Sequence, residues 1–269
     1  MLTRIEATIG LPGDPSGLGP RLDAFEAALV SAGADPASEQ RLGLALSRLG
    51  DVTNSLQNGA RRIQYMRQEA DNAIAQDIER LNASLAQVEQ LNADINRSRN
   101  QGQDPSALVD QRQRVIDTIA QIVPIRELAR ENDRVALMTT SGEILLDGPA
   151  PVFEFAQTNT ITADMALDSG GLGGITRNGI PMSVTDGVGK LAGGSLGASF
   201  KSRDDDLVAA QTGLDEIAAD LITRFADPAT DPTLGPGDAG LLTDNGLAHD
   251  PLDIVGLSQR ISINMAVDP

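Results

Sequence analysis

The chain has 269 residues and a formal net charge of -17 at pH 7, and a surface of that sign repels nucleic-acid phosphate and anionic membranes. It holds no cysteine, which excludes disulfides, thiolate metal sites and a cysteine nucleophile. Its aromatic content of 2% and single histidine leave few groups for ligand pockets or proton shuttles, which disfavours an enzyme.

The length allows two domains. No apolar run approaches the roughly 20 residues of a membrane span, and Met1 to Gly10 lacks the basic-then-apolar order of a cleaved signal peptide. Gly19-Pro20 followed by Leu22, Phe25 and Leu29 predicts a first helix, which Gly33 through Pro36 ends. A much longer helical pattern runs from about Ala37 to about Arg99. Its second half carries Ile74, Ile78, Leu81, Leu85, Val88, Leu91 and Ile95 at steps of three and four, close to a heptad seam. In its first half Gly43, Gly50 and Gly59 each cost about 1 kcal/mol relative to alanine, which leaves room for a bend or break. Gly102-Gln103-Asp104-Pro105 stops this helix and starts another, to about Val123, and the two should pack as an antiparallel hairpin.

At Pro124 the period changes. Val135, Leu137 and Thr139 alternate with their neighbours, Thr140 to Glu143 make a turn, and Ile144-Leu145-Leu146 return, which predicts a β-hairpin. Ile161, Ala163, Met165 and Leu167 alternate again, Gly170 to Gly174 read as a flexible link, and Asn178-Gly179 is a favoured two-residue hairpin turn. Helical period resumes at Leu207, Ala210, Leu214, Ile217, Leu221 and Phe225, and this stripe is expected to bury against the earlier hairpin. Asp227 to Pro251 reads as a loop and Arg260 to Met265 as a short strand. The fold class is therefore α+β: a long-helix bundle domain, residues 1–129 and 193–269, with a small antiparallel β domain inserted at 130–192.

Three constellations invite chemistry. Gly193-Gly194-Ser195-Leu196-Gly197 matches the nucleophile elbow of serine hydrolases, with His249 downstream. That chemistry needs a strand before the serine and a parallel sheet, whereas here the preceding segment closes an antiparallel module, so a glycine hinge is the better reading; replacing Ser195 by alanine should leave stability unchanged, and His249 should be solvated. Asp204-Asp205-Asp206 and the loop aspartates Asp227, Asp231, Asp238, Asp244 and Asp250 could offer oxygens to calcium, yet neither group has EF-hand spacing, and the triple aspartate suits a helix start. Gly170, Gly171, Gly173 and Gly174 lack the lysine and the strand-to-helix switch of a phosphate loop. The reading assigns no catalytic, cofactor-binding or metal-binding residue.

Asn82, Asn92 and Asn96 stand beside the seam, either as a polar flank facing water or as buried residues that fix register. The order Leu81-Asn82, Leu91-Asn92, Ile95, a Gly-Asp turn, then Leu108-Val109-Asp110-Gln111-Arg112 resembles the bacterial flagellar hook-filament junction family, the first of the hook-associated proteins. Gly142 to Gly148, Gly193 to Gly197, Leu214 to Ala218 and Ile261 to Asn264 with Asp268-Pro269 follow in that family's order, so the resemblance covers most of the chain from about Ile5. The loop Asp227 to Asp244 departs from it, lacking the Asn-x-x-His beginning of many relatives. Members begin and end with heptad helices that this sequence lacks, so Met1 is expected to open a trimmed or internally started chain.

The resemblance implies a non-enzymatic axial protein outside the cell, exported unfolded by the flagellar type III apparatus, with an export chaperone possible through the missing C-terminal segment. It implies contacts with the hook protein, the second junction protein and further copies of itself, and none with nucleic acid or membrane. The alternatives from other classes are an extracellular helical adhesin or binding module and a serine hydrolase built on Ser195 and His249.

Overall fold

The computed structural model describes residues 17–183, 186–235 and 237–267. Met1 to Gly10 and the Asp268-Pro269 ending therefore lie outside the described residues. Elements follow in the order α1 Leu18–Ala34, α2 Glu39–Asn100, α3 Ser106–Ile122, β1 Ile125–Ala129, β2 Val135–Thr139, β3 Ile144–Leu146, β4 Phe153–Phe155, β5 Ile175–Arg177, β6 Ile180–Pro181, α4 Gly194–Lys201, a π-helical turn Ser202–Asp206, α5 Leu207–Phe225, β7 Leu242–Asp244, α6 Leu257–Arg260 and β8 Ile261–Ile263. The α+β class read from the sequence holds.

The long helix is unbroken over 62 residues, glycines included. A Cβ on Gly43 would meet nothing, so that glycine marks no tight crossing and leaves the helix only a propensity cost. At the other end, the Asp104 carboxylate accepts the Ser106 amide at 3.0 Å and its hydroxyl at 2.6 Å, which starts α3 after the turn.

The chain forms two compact units. The first comprises Met1–Met66, Thr162–Asp164 and Asp206–Pro269. In it, Leu49, Val52, Leu56, Ile63 and Met66 of α2 share a core with Leu18 and Phe25 of α1, Leu207, Leu214, Ala218 and Ile222 of α5, and Leu242, Leu257 and Ile261. Phe25 meets Phe225 edge-on at 5.8 Å. The stripe of α5 thus buries against the first half of the long helix, not against the α2–α3 hairpin, because Leu49 to Met66 offer an apolar face of their own. The expected C-terminal strand is β8, and it pairs antiparallel with β7, which the sequence had hidden in a loop.

The second unit comprises Arg67–Ile161 and Met165–Asp205. Its core joins Ile74, Ile78, Leu81, Leu85 and Val88 of α2 to Ile116, Ile119 and Ile122 of α3, and to Leu137, Leu145, Leu146, Phe153 and Ile175 from the strands. Two antiparallel sheets, β1-β2-β3 and β4-β5-β6, are present. Asn178 and Gly179 both take positive φ, 50° and 77°, as the expected two-residue hairpin turn between β5 and β6 demands. The contacts divide the chain at different points from 130 and 192. The strands close no core of their own but share one with the helical hairpin, and the main divisions fall inside α2 and within the π-helical turn, between Asp205 and Asp206.

Two local expectations give way. Residues 161–167 form turns, not a strand. The Gly170–Gly174 link is packed rather than flexible: a Cβ on Gly173 would lie 2.5 Å from the Ala156 carbonyl oxygen, and one on Gly174 3.0 Å from Gly187 Cα.

Candidate functional site

Ser195 sits in the first turn of α4, after Gly193 and Gly194 at φ 107° and 60°. A side chain at Gly193 would strike Pro124, and one at Gly194 the Ile122 carbonyl, so the two glycines let the backbone cross the end of α3. Ser195 Oγ donates to Asp77 Oδ2 at 2.6 Å. Its partner is a carboxylate that also faces Arg80 at 3.7 Å, not an imidazole. His249 belongs to the first unit and is half-buried, with Nδ1 shielded from solvent and unpartnered, which corrects the expectation of a solvated side chain. The hydroxyl donates to a weakly basic carboxylate that Arg80 also faces, and no imidazole is among its hydrogen-bond partners.

The aspartates have local employment. Asp204 takes Arg203 at 2.8 Å inside the π-helical turn, so the triple aspartate does not open a helix. Asp227 accepts the Ala229 amide, Asp231 the Thr233 amide and hydroxyl, Asp238 the Gly235 amide and Asp250 the Leu252 amide. Asp244 holds Arg260 through two bonds. Each is a turn or an ion pair.

The asparagines do something the sequence reading did not weigh. Asn82 donates from Nδ2 to the Phe153 carbonyl at 2.7 Å and accepts the Phe153 amide at Oδ1 at 2.9 Å. The carboxamide has the donor and acceptor of a peptide group and stands where a neighbouring strand would stand, on the open edge of β4. Asn92 does the same at Val135, at 2.9 and 3.1 Å, and also accepts Arg112 Nη1 at 2.9 Å. Burial lowers the Arg112 pKa, opposed by Asp133 and Glu127. Gln68 and Asp71 divide the task at Thr158, bonding its carbonyl at 2.6 Å and its amide at 2.8 Å. Glu89 takes the Ala150 amide at 2.9 Å. Asn96 is not part of this set; it accepts Asn100.

Gln68, Asn82, Glu89 and Asn96 lie at multiples of seven along α2, in one row beside the seam, and the first three of them dock. That spacing was a legible signal for a docking row, though the asparagines alone did not name what docks.

At one end of this row is a buried ionic knot. Arg203 is fully buried; its Nη1 reaches Asp71 at 2.6 Å, its other nitrogens take Asp204 and the Gly173 carbonyl, and its guanidinium lies 4.9 Å from the Phe200 ring centre. Arg67, also buried, donates Nε to the Arg203 carbonyl at 3.0 Å and Nη2 to the Met165 carbonyl at 2.7 Å. Burial pushes the Arg203 pKa down, but the bonds to Asp204 and Asp71 outweigh it and hold it above the ordinary arginine value. Charges this deep survive only with full pairing. Chemically the arrangement fastens; it holds no nucleophile beside a base.

The description "Flagellar hook-associated protein FlgK helical domain" matches residues 2–230. Among solved structures, the flagellar hook junction protein FlgK from Burkholderia pseudomallei is similar with a TM-score of 0.72 at 18% identity, over 91% of this chain and 43% of that one. At that identity the likeness is one of fold, and the chain spans less than half of that protein. No curated protein matches the chain.

Proposed function

This chain belongs to the flagellar hook-associated protein family through its FlgK helical domain, and from that premise we propose that it is a structural, non-enzymatic axial component of the bacterial flagellum, joining hook to filament. The match over residues 2–230 carries this reading, since it takes in both sheets of the second unit, the whole long helix and the return through α5. A load-transmitting part needs subunits that do not shear internally. Here the strand residues Phe153 and Val135 and the loop residues Thr158 and Ala150 are bonded to a continuous helix by its side chains, which suits that demand.

In this role the protein abuts the hook protein on one side and the second junction protein on the other, and its copies lie side by side. It leaves the cell unfolded through the flagellar type III apparatus, with an export chaperone acting on it. A chain without cysteine suits that passage, because no crosslink can form before it. The test is deletion of its gene followed by the gene's return on a plasmid. Deletion should leave hooks without attached filaments and filament protein shed into the medium, and return should restore both attachment and swimming. Normal filaments on the deletion strain would overturn the proposal.

A further inference from the structure

The first unit carries two surface features that its own fold does not explain. The segment between β7 and α6 exposes Leu247, Leu252, Ile254 and Val255, with Leu252 at 95%. Four large aliphatic side chains within nine residues are an unusual surface for a chain this charged. The segment is nevertheless braced. Arg260 donates to the carbonyls of Val255 and Asp253 at 2.7 and 2.9 Å while holding Asp244, and the buried Asp215 accepts the Gly256 and Ser258 amides, each at 2.8 Å. An apolar tip held by a polar base is preorganised for contact. Its flank is acidic, with Asp250 and Asp253.

The second feature lies on α2, whose Leu56, Ile63 and Met66 face the core shared with Leu207, Leu257 and Ile261. On the opposite side of the helix Arg61, Arg62 and Tyr65 are exposed. Tyr65, the one tyrosine of the chain, is 56% exposed, and Arg62 lies 5.9 Å above its ring. Arginine and tyrosine are the residue types that most often anchor protein interfaces.

We infer that the 247–255 segment of one copy docks on the Arg61–Arg62–Tyr65 face of a second copy. The chemistry is complementary: aliphatic side chains against an aromatic ring, and Asp250 and Asp253 against two guanidinium groups. Both patches are exposed within one copy, and they are different surfaces rather than one self-complementary patch. Pairing is head-to-tail, the heterologous kind that builds rings or helical arrays rather than closed two-fold pairs. The inference deepens the proposed role as a repeating building block and rests on it for its biological meaning, but its test does not.

The absence of native cysteine makes the test clean. Ala248→Cys and Asn58→Cys place thiols beside the two patches without removing their side chains; both positions are exposed. Purified variants are mixed at high concentration and oxidised, with Ser47→Cys on the same helix as the control partner. The mixed pair should crosslink about tenfold faster than the control pair, since a specific contact raises the effective thiol concentration. Adding Tyr65→Ser or Leu252→Ser should return the rate to the control value, with unchanged circular dichroism showing that the fold is intact. A mixed rate equal to the control, or faster crosslinking of Ala248→Cys with itself, would overturn the contact. If filament attachment still depends on the gene, that failure leaves the junction role standing.

Discussion

Replacing Asn82 by alanine removes two bonds that no other group supplies: 2.7 Å to the Phe153 carbonyl and 2.9 Å from the Phe153 amide. The peptide groups left behind lie beside a side chain only 1% exposed. An orphaned buried polar group costs about 1 to 3 kcal/mol. Partial access of water to the vacated site reduces this, so a total loss of about 2 to 4 kcal/mol is expected for the two groups. Asn96→Ala, two heptad steps further along the same helix, should cost less than about 0.5 kcal/mol. Urea unfolding followed by circular dichroism gives the difference, and hydrogen exchange localises it: the Phe153 amide should lose protection while amides in the middle of β2 keep theirs. Asn82→Asp adds a sharper check. A carboxylate there can accept the amide but repels the carbonyl, so this variant should be as unstable as the alanine variant at neutral pH. It should recover as pH falls and the protonated acid donates to the carbonyl. Equal stability of Asn82→Ala and Asn96→Ala would refute the idea that carboxamides fasten the sheet.

Arg203→Met strands the Asp71 carboxylate in the interior and should cost about 3 to 5 kcal/mol in chemical denaturation; a loss under about 1 kcal/mol would mean the knot is not closed in solution. Ser195→Ala removes the bond to Asp77, and because Ser195 is exposed the loss should be about 1 to 2 kcal/mol, with no ester turnover before or after the change. The bond to Asp77 makes this larger than the nearly unchanged stability expected from the sequence. For Asp186, burial raises the pKa, but bonds from the Gly189 amide, the Ser183 hydroxyl and the Val188 amide together leave it lowered. Its contribution is therefore fully present above the unfolded value near 3.9 and lost as pH falls through the folded one, so Asp186→Asn should flatten part of the acid limb of the stability profile. An acid limb identical in slope would count against those bonds.

Much of the architecture was legible because it rests on spacing. The seam from Ile74 to Ile95, the Asp104 turn and the Asn178-Gly179 hairpin each follow from a local rule that tertiary context did not override. What escaped were elements whose own residues show no clear period, or whose period the hydrogen bonds override. Ile125-Arg126-Glu127-Leu128-Ala129 reads as neither strand nor helix, and it is a strand because Val135 to Thr139 pair with it. The alternation from Ile161 to Leu167 made no strand, since the carbonyls of Met165 and Ala166 go to Arg67 and to the Gly171 amide. The boundary between units was invisible for a related reason: an amphipathic stripe shows that a face is buried, not which segment buries it. Arg203, in a run of exposed-looking charges, gave no hint of being the most enclosed cation of the second unit.

A sheet that attaches to a helix through side chains differs in its evolution from one that attaches through backbone ladders. Main-chain rungs are blind to sequence, whereas a rung made by Asn82 exists only where that letter is written. Seven residues of α-helix span about 10 Å, so exchanging the letters at 75 and 82 would shift a mooring point by that distance and leave the seam untouched. The long helix is in this sense a ruled scale on which β segments can be re-hung in discrete steps. Relatives whose strands sit higher or lower on their helices should betray it in the polar letters beside the seam before any change appears in the strands themselves.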